Sequence, residues 1–317
     1  MNDSSPTPLE RSQRISAQLH KLTKDKLTIG RQFIFSEEEL TNDSPVLPDP
    51  IGDDSHSPVR GIIHRYPDRV LLLPNFFCPS ICRFCFRKTK IGIEPALTEL
   101  ELDNALNYIR THTEIYEVIL SGGEPLLSYK KLQRIIDRLE KIDHVDIIRI
   151  HTRLPLTAPS DASRFFKENT LTYSKPLYMV IHCNHVDEIT PQWKAFVQSA
   201  HKQEIILLSQ SVLLAGINDS VDALETLFRE LLRNRVRPYY LHHPDQVTGT
   251  DHFRVPLTTG RTLFNQLRGR LSGTAIPRYI LDVPEGLGKV SAEAEVITEE
   301  NGSLQIKPHT GHLLYEG

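Results

Sequence analysis

A chain of 317 residues with 39% apolar and 24% charged residues can build one large core; it is neither a disordered polymer nor a small disulfide scaffold. Its net charge of −3, without a basic stripe, gives no nucleic-acid footprint. No apolar run approaches the roughly 20 residues of a membrane span, and the polar start Met1-Asn2-Asp3-Ser4-Ser5 lacks a signal-peptide core, so the cytoplasm is the expected compartment.

The first 60 residues read as an extension. Arg11 to Leu22 has apolar residues at Ile15, Leu19 and Leu22, the spacing of a thin-faced helix. Ser36 followed by Glu39 is a capping-box pair and predicts a helix start. Asn42 to Pro58, rich in Pro, Asp and Ser, reads as a loop over a barrel mouth. From Arg69 strands and helices alternate. Strands are expected over Val70 to Asn75, Glu117 to Leu120, Asp146 to Ile150, Leu177 to Ile181, Ile205 to Leu208 and Val236 to Leu241. Helices are expected over Thr98 to Thr111, with Leu100, Leu102, Leu106 and Ile109 as the apolar face, and over Tyr129 to Ile142, Pro191 to His201 and Val221 to Arg233. Six strands mostly separated by helices predict parallel pairing with right-handed crossovers. Six is short of the eight of a closed barrel, so the expected fold is α/β, an open (β/α)6 partial barrel with chemistry at the carboxyl ends of its strands.

Three of the four cysteines, Cys78, Cys82 and Cys85, sit in Cys78-Pro79-Ser80-Ile81-Cys82-Arg83-Phe84-Cys85. A C-x3-C-x2-C loop can wrap a cubane cluster, its thiolates taking three irons of a [4Fe–4S] centre and leaving the fourth open for chemistry. An odd set of crowded thiols argues against a disulfide. A structural zinc site completed by Cys183 or a histidine is the competing reading of the spacing.

The cysteine loop, with Phe84 and Phe86 flanking Cys85, resembles the signature of the radical S-adenosylmethionine (SAM) superfamily. Its flanks narrow the resemblance. His64-Arg65-Tyr66-Pro67-Asp68-Arg69 precedes it, Ser121-Gly122-Gly123-Glu124-Pro125-Leu126 comes after it, and Asp282-Val283-Pro284-Glu285-Gly286-Leu287-Gly288-Lys289 lies near the C-terminus. Together these look like the lysine 2,3-aminomutase family, over most of the chain from His64 to Lys289.

The resemblance implies a [4Fe–4S] cluster, SAM and pyridoxal 5′-phosphate (PLP), and a radical SAM (β/α)6 core over 61–245 between an N-terminal extension (1–60) and a C-terminal extension (246–317) that carries the PLP lysine. It implies cluster ligands Cys78, Cys82 and Cys85, SAM contacts from Gly122, Gly123, Glu124 and His182, and PLP held by Lys289 with Arg65, Tyr66 and Gln210. Arg87 matches the arginine for the amino-acid carboxylate, and Asp245 and Asp282 match the two aspartates for a distal ammonium. Arg suits a carboxylate by bidentate pairing, and two acids around one ammonium reject an acidic side chain. Arg153, just past the third strand, is a further residue on the cofactor side. The implied reaction is L-lysine to β-lysine, with an electron donor such as flavodoxin or ferredoxin. Departures are Glu124 where longer relatives carry Asp, His242 where they usually carry Tyr, and Ser220 where they place a zinc-ligating cysteine. No zinc is therefore expected, and a homo-oligomer is left open. The Tyr240-Leu241-His242-His243-Pro244-Asp245 loop looks closer to short bacterial relatives that make β-lysine for elongation factor P. Arginine as substrate, or a non-catalytic metal-binding scaffold, are the rival readings.

Overall fold

In the computed structural model, which describes residues 14–41, 49–168, 173–293, 297–300, 303–306 and 314–316, nine strands hydrogen-bond in chain order into one sheet. They are β1 (Ile62–Tyr66), β2 (Arg69–Leu72), β3 (Glu117–Leu120), β4 (Ile147–Thr152), β5 (Leu177–His182), β6 (Ile206–Val212), β7 (Arg237–His242), β8 (Arg278–Val283) and β9 (Gly288–Ser291). Strands β2 to β8 run parallel, while β1 and β9 are antiparallel edges. The edges do not pair with each other, so the sheet is an open partial barrel. A separate antiparallel sheet of β10 (Ile297–Glu300), β11 (Ser303–Ile306) and β12 (Leu314–Glu316) comes after it in the chain.

The helices are α1 (Ala17–Asp25), α2 (Leu27–Phe33), α3 (Glu99–Thr111), α4 (Tyr129–Leu139), α5 (Leu154–Thr157), α6 (Pro159–Glu168), α7 (Pro191–Lys202), α8 (Val221–Arg233) and α9 (Leu257–Arg268). Their starts are written in the sequence: Thr98 and Glu101 form a capping box on α3, Thr190 caps α7 ahead of Pro191, and Ser220 caps α8. Period-two alternation sorts each strand's side chains. Ile148, Ile150, Met179 and Ile181 belong to the apolar layer shared with Leu106, Ile135, Phe196 and Leu227 of the helices. The alternate positions, among them Arg149, His151, His182, Gln210 and His242, take the barrel's inner face, where polar groups gather.

The structure extends the expected pattern. Strand β8 is a seventh parallel strand, reached through α9, and β9 returns along it. The Arg278–Val283 run is short and ends at Pro284, which hides it among loop signals. The α3 face is Leu102, Ala105, Leu106 and Ile109; Leu100 is 70% exposed, because residues two apart point to nearly opposite sides of a helix. At the N-terminus the helix starts at Ala17, capped by Ser16, and a second helix comes directly after it. Residues 11–13 and 42–48 lie outside the described residues. Ser36 and Glu39 do form a capping box, on a single 3-10 turn, Glu37–Leu40.

Candidate active site

The cysteine loop leaves the carboxyl end of β2 and is held from both sides. From outside, Arg83 donates to both Glu39 oxygens, at 2.7 and 2.6 Å, and both side chains are fully buried. The Arg83 amide donates to Gln32 O at 2.8 Å and the Ile81 amide to Arg14 O at 3.0 Å. From inside, the Arg153 guanidinium donates to Cys82 Sγ at 3.0 Å and to both oxygens of buried Glu188 at 3.1 Å. The thiols stand close enough to act on one another: burial, then Cys82, pushes the Cys85 thiol up to about 11. Burial, then Glu124, Cys85 and Cys82, push Cys78 well up. Such thiols are relieved by a cation that takes them as thiolates. Cys183 stands apart, fully buried, its thiol pointed at His185 O. No three His, Cys, Asp or Glu groups among the described residues surround a single ion position.

The Gly122-Gly123-Glu124 turn at the end of β3 is pressed against this loop. A Cβ on Gly122, at φ +105°, would stand 2.5 Å from Asn75 O, and one on Gly123 would stand 2.4 Å from Phe77 O. The glycines expected to let a ligand approach thus also let the loop's own backbone approach. The Gly123 and Glu124 amides donate to Asn75 O and Phe77 O, both at 2.8 Å. The Glu124 carboxylate accepts from Thr152 Oγ1 at 2.8 Å, Arg153 N at 2.9 Å and Leu126 N at 3.1 Å. Burial nevertheless raises it to about 7. It latches the ends of β3 and β4 together, so three protein donors already occupy the carboxylate expected to meet SAM. His182 Nε2 shares a hydrogen bond with Asn184 Oδ1 at 3.0 Å, and its ring lies 5.7 Å from that of Phe84. Burial, then Arg153, hold its pKa well below the usual histidine value, so the ring is neutral at pH 7.

Across the mouth the charges form a chain. Arg87 Nε donates to Asp53 Oδ2 at 2.8 Å, Arg65 Nη2 stands 3.4 Å from Asp53 Oδ1, Arg65 Nη1 stands 3.7 Å from Asp282 Oδ1, and Lys289 Nζ donates to Asp282 Oδ1 at 2.7 Å. His242 Nδ1 lies 3.4 Å from Asp282 Oδ2. Burial works against the Asp282 charge, yet His242 and Lys289 hold its carboxyl down to about 2. The Asp245 carboxylate has no hydrogen-bond or ion-pair partner among the described residues; burial, then Asp282, push it up to about 7. The Tyr66 hydroxyl accepts the Lys289 amide at 2.8 Å.

The structure therefore brings Lys289, Tyr66, Arg65, Asp282, Asp245 and Arg87 into one place. Gln210 faces His182 in register on β6, and its side chain makes no hydrogen bond among the described residues. Three residues of this centre do not stand out in the sequence. His242 shows there only as a departure. Asp53 sits in a stretch where every aspartate reads as a turn former. His151, with buried Nε2 unpartnered, feels Arg149, His242 and Lys289. The orphaned His151 nitrogen, the unpaired Asp245 carboxyl and the open Arg87 fork together fit a polar, charged ligand better than an apolar one.

Residues 72–188 match the radical SAM superfamily, a span that runs from the end of β2 to Glu188. A protein of Aquifex aeolicus, named provisionally as an L-lysine 2,3-aminomutase, is 42% identical, covering 84% of this chain and 72% of its own length. The L-lysine 2,3-aminomutase of Fusobacterium nucleatum is 38% identical, covering 88% of this chain and 66% of its own length, so the chain spans less than the full length of either relative. A solved structure, a radical SAM methyltransferase from Sphaerobacter thermophilus, has a TM-score of 0.50 at 18% identity over 69% of this chain and 68% of that one, which shows a shared fold.

Proposed function

This chain belongs to the lysine 2,3-aminomutase family of radical SAM enzymes, and on that premise we propose that it is the isomerase that moves the α-amino group of L-lysine to the β-carbon, giving β-lysine. The observation that carries the substrate is the acid pair beside Lys289. Asp245 stands half-buried next to Asp282 and its carboxyl has no hydrogen-bond or ion-pair partner among the described residues, while the Arg87 fork lies at the other end of the ion-pair chain. An amino acid with a carboxylate at one end and a distal ammonium satisfies both; glutamate would set a third carboxylate against the pair.

When bound, the cluster and SAM supply one-electron chemistry at carbon, and PLP supplies a carbonyl that carries the migrating nitrogen. The protein's own work is placement and exclusion of water. Cys78, Cys82 and Cys85 would hold the cluster, with one iron left for SAM. Gly122, Gly123, Glu124 and His182 line the SAM side. Lys289 would anchor PLP through its carbonyl, and Arg65, Tyr66 and Gln210 would hold the rest of that cofactor. Arg87 grips the amino-acid carboxylate, and Asp245 and Asp282 its ammonium. Lys289 Nζ, an ammonium on a flexible stem, already sits on Asp282 and marks that carboxylate as a site for such a group. A low-potential carrier such as flavodoxin or ferredoxin delivers the electron, in the cytoplasm.

The test is an anaerobic product assay by mass spectrometry with SAM, PLP, a strong reductant and L-lysine, L-arginine or L-glutamate. β-Lysine is expected from the wild type, and none from Lys289→Ala. β-Arginine instead would move the reading to the other cationic substrate. Deoxyadenosine without any β-amino acid would sink the substrate assignment, and neither product from cluster-loaded protein would sink the aminomutase reading.

A further inference from the structure

We propose that Asp53 is a positioning residue of this site, a buried carboxylate strut that fixes the arginine for the amino-acid carboxylate against the arginine that holds the cofactor. The inference rests on the functional reading above and adds a residue to it from the N-terminal extension.

The loop that carries Asp53 is built to aim it. The Asp49 carboxylate accepts the Asp53 amide at 2.9 Å and the Asp54 amide at 2.8 Å, which pins the turn. Gly52 O bonds His56 Nδ1 at 2.8 Å, closing its far side. Asp53 spends one oxygen on each arginine, Oδ2 on Arg87 Nε and Oδ1 on Arg65 Nη2, and Arg65 Nη2 also donates to Ile51 O on the same loop. All three side chains are buried, Asp53 and Arg65 each 8% exposed and Arg87 10%. Its neighbour Asp54 shows the ordinary fate of a turn aspartate: it is exposed and pairs with Lys90 at the surface.

The consequence lies in what Asp53 leaves free. It takes the Nε edge of Arg87, and the two terminal nitrogens of Arg87 make no hydrogen bond among the described residues. Those nitrogens form the fork that pairs a carboxylate end-on. Asp53 therefore does not stand in for the substrate's carboxylate; it sets the plane and direction of the group that receives it. Without it, Arg87 would lose its carboxylate partner and its single orientation, and Arg65 would keep, of its carboxylate contacts, only the longer one to Asp282 at 3.7 Å.

Three variants test this in cluster-loaded protein: Asp53→Asn, Asp53→Glu and, on the same loop, Asp54→Asn. Lysine KM and kcat come from the anaerobic assay, PLP affinity from equilibrium dialysis, and fold from the melting temperature. For Asp53→Asn we expect KM for lysine to rise about ten- to a hundredfold while kcat changes far less, as for loss of one hydrogen bond to a charged group. PLP binding should weaken too, since Arg65 loses the same partner. Asp53→Glu should recover part of both losses, and Asp54→Asn should match the wild type. Unchanged KM and PLP affinity in Asp53→Asn would overturn the proposal, as would a fall in kcat alone or an equal loss in Asp54→Asn. If Asp53→Asn does not fold, Asp53→Glu decides, because a carboxylate moved by one methylene must still shift KM. A wild type that neither binds PLP nor converts lysine would overturn the functional reading and this inference together, a result distinct from an active wild type with an indifferent Asp53→Asn.

Discussion

The two sides of the barrel mouth are stabilised in opposite ways. On the cysteine side nearly every polar group is spoken for by the protein: Glu124 accepts three hydrogen bonds, Arg153 bridges Cys82 and Glu188, and Arg83 is locked on Glu39. On the lysine side the charges are paired only along a thin chain, and Asp245, His151 and the Arg87 fork are left wanting. A side that must place a rigid cluster is satisfied in advance; a side that must admit and release an amino acid keeps its hydrogen-bonding capacity for the ligand.

The contrast can be broken most heavily at Glu39. Replacing Glu39 with Ala removes the carboxylate that takes two N–H groups of the fully buried Arg83, and about 3–5 kcal/mol of stability should go with it. Calorimetry and iron per chain after reconstitution would show it; a variant that melts and loads like the wild type would mean that the N-terminal clamp is dispensable. The next break is on the lysine side. Asp245 titrates near 7, raised by burial and by Asp282, so at low pH it is neutral and holds no ammonium. As pH rises through about 7 the proton leaves, the carboxylate charges, and kcat/KM for lysine should climb. Asp245→Asn should abolish that limb and lower kcat/KM at pH 8 by about ten- to a hundredfold. A wild-type profile flat between about pH 6 and 8 would remove Asp245 from substrate binding. The smallest effect belongs to Arg153. Its N–H on Cys82 favours the more negative, reduced cluster, so Arg153→Lys, which keeps the charge but loses the planar fork, should lower the cluster potential by on the order of 50 mV. A redox titration followed by electron paramagnetic resonance reads this directly, and an unmoved potential would confine Arg153 to packing.

Much of the scaffold is legible in the sequence because burial writes itself into spacing. Six of the seven parallel strands and the limits of α8 emerge from apolar runs and turn residues alone. The seventh escapes because Arg278–Val283 presents half its residues to the mouth, and Asp282 and Pro284 break the apolar run. Leu100 misleads because it is apolar and lies in a helix, yet the helix turns it to solvent. In the site, the cysteines and Lys289 are marked by neighbouring residues. Asp53 is not, since its meaning lies in two arginines distant in the chain, and nothing local separates it from Asp49 or Asp54. His151 hides for a similar reason: a histidine near a strand end is ordinary until the inner face around it is known to leave it unpaired.

The strut at Asp53 also bears on the order in which the chain is made. Synthesis runs from the N-terminus, and early segments fold before later ones emerge. Arg65 and Arg87 belong to the early half, while the Asp282 that also faces Arg65 comes near the end. A nascent chain with both arginines and no nearby acid would have to collapse around bare positive charge or keep the region wet. Asp53 leaves the ribosome before either arginine, so one of the two positive charges is already balanced as the first half of the barrel closes, and Asp282 completes the pairing when β8 and β9 bring the lysine-bearing wall.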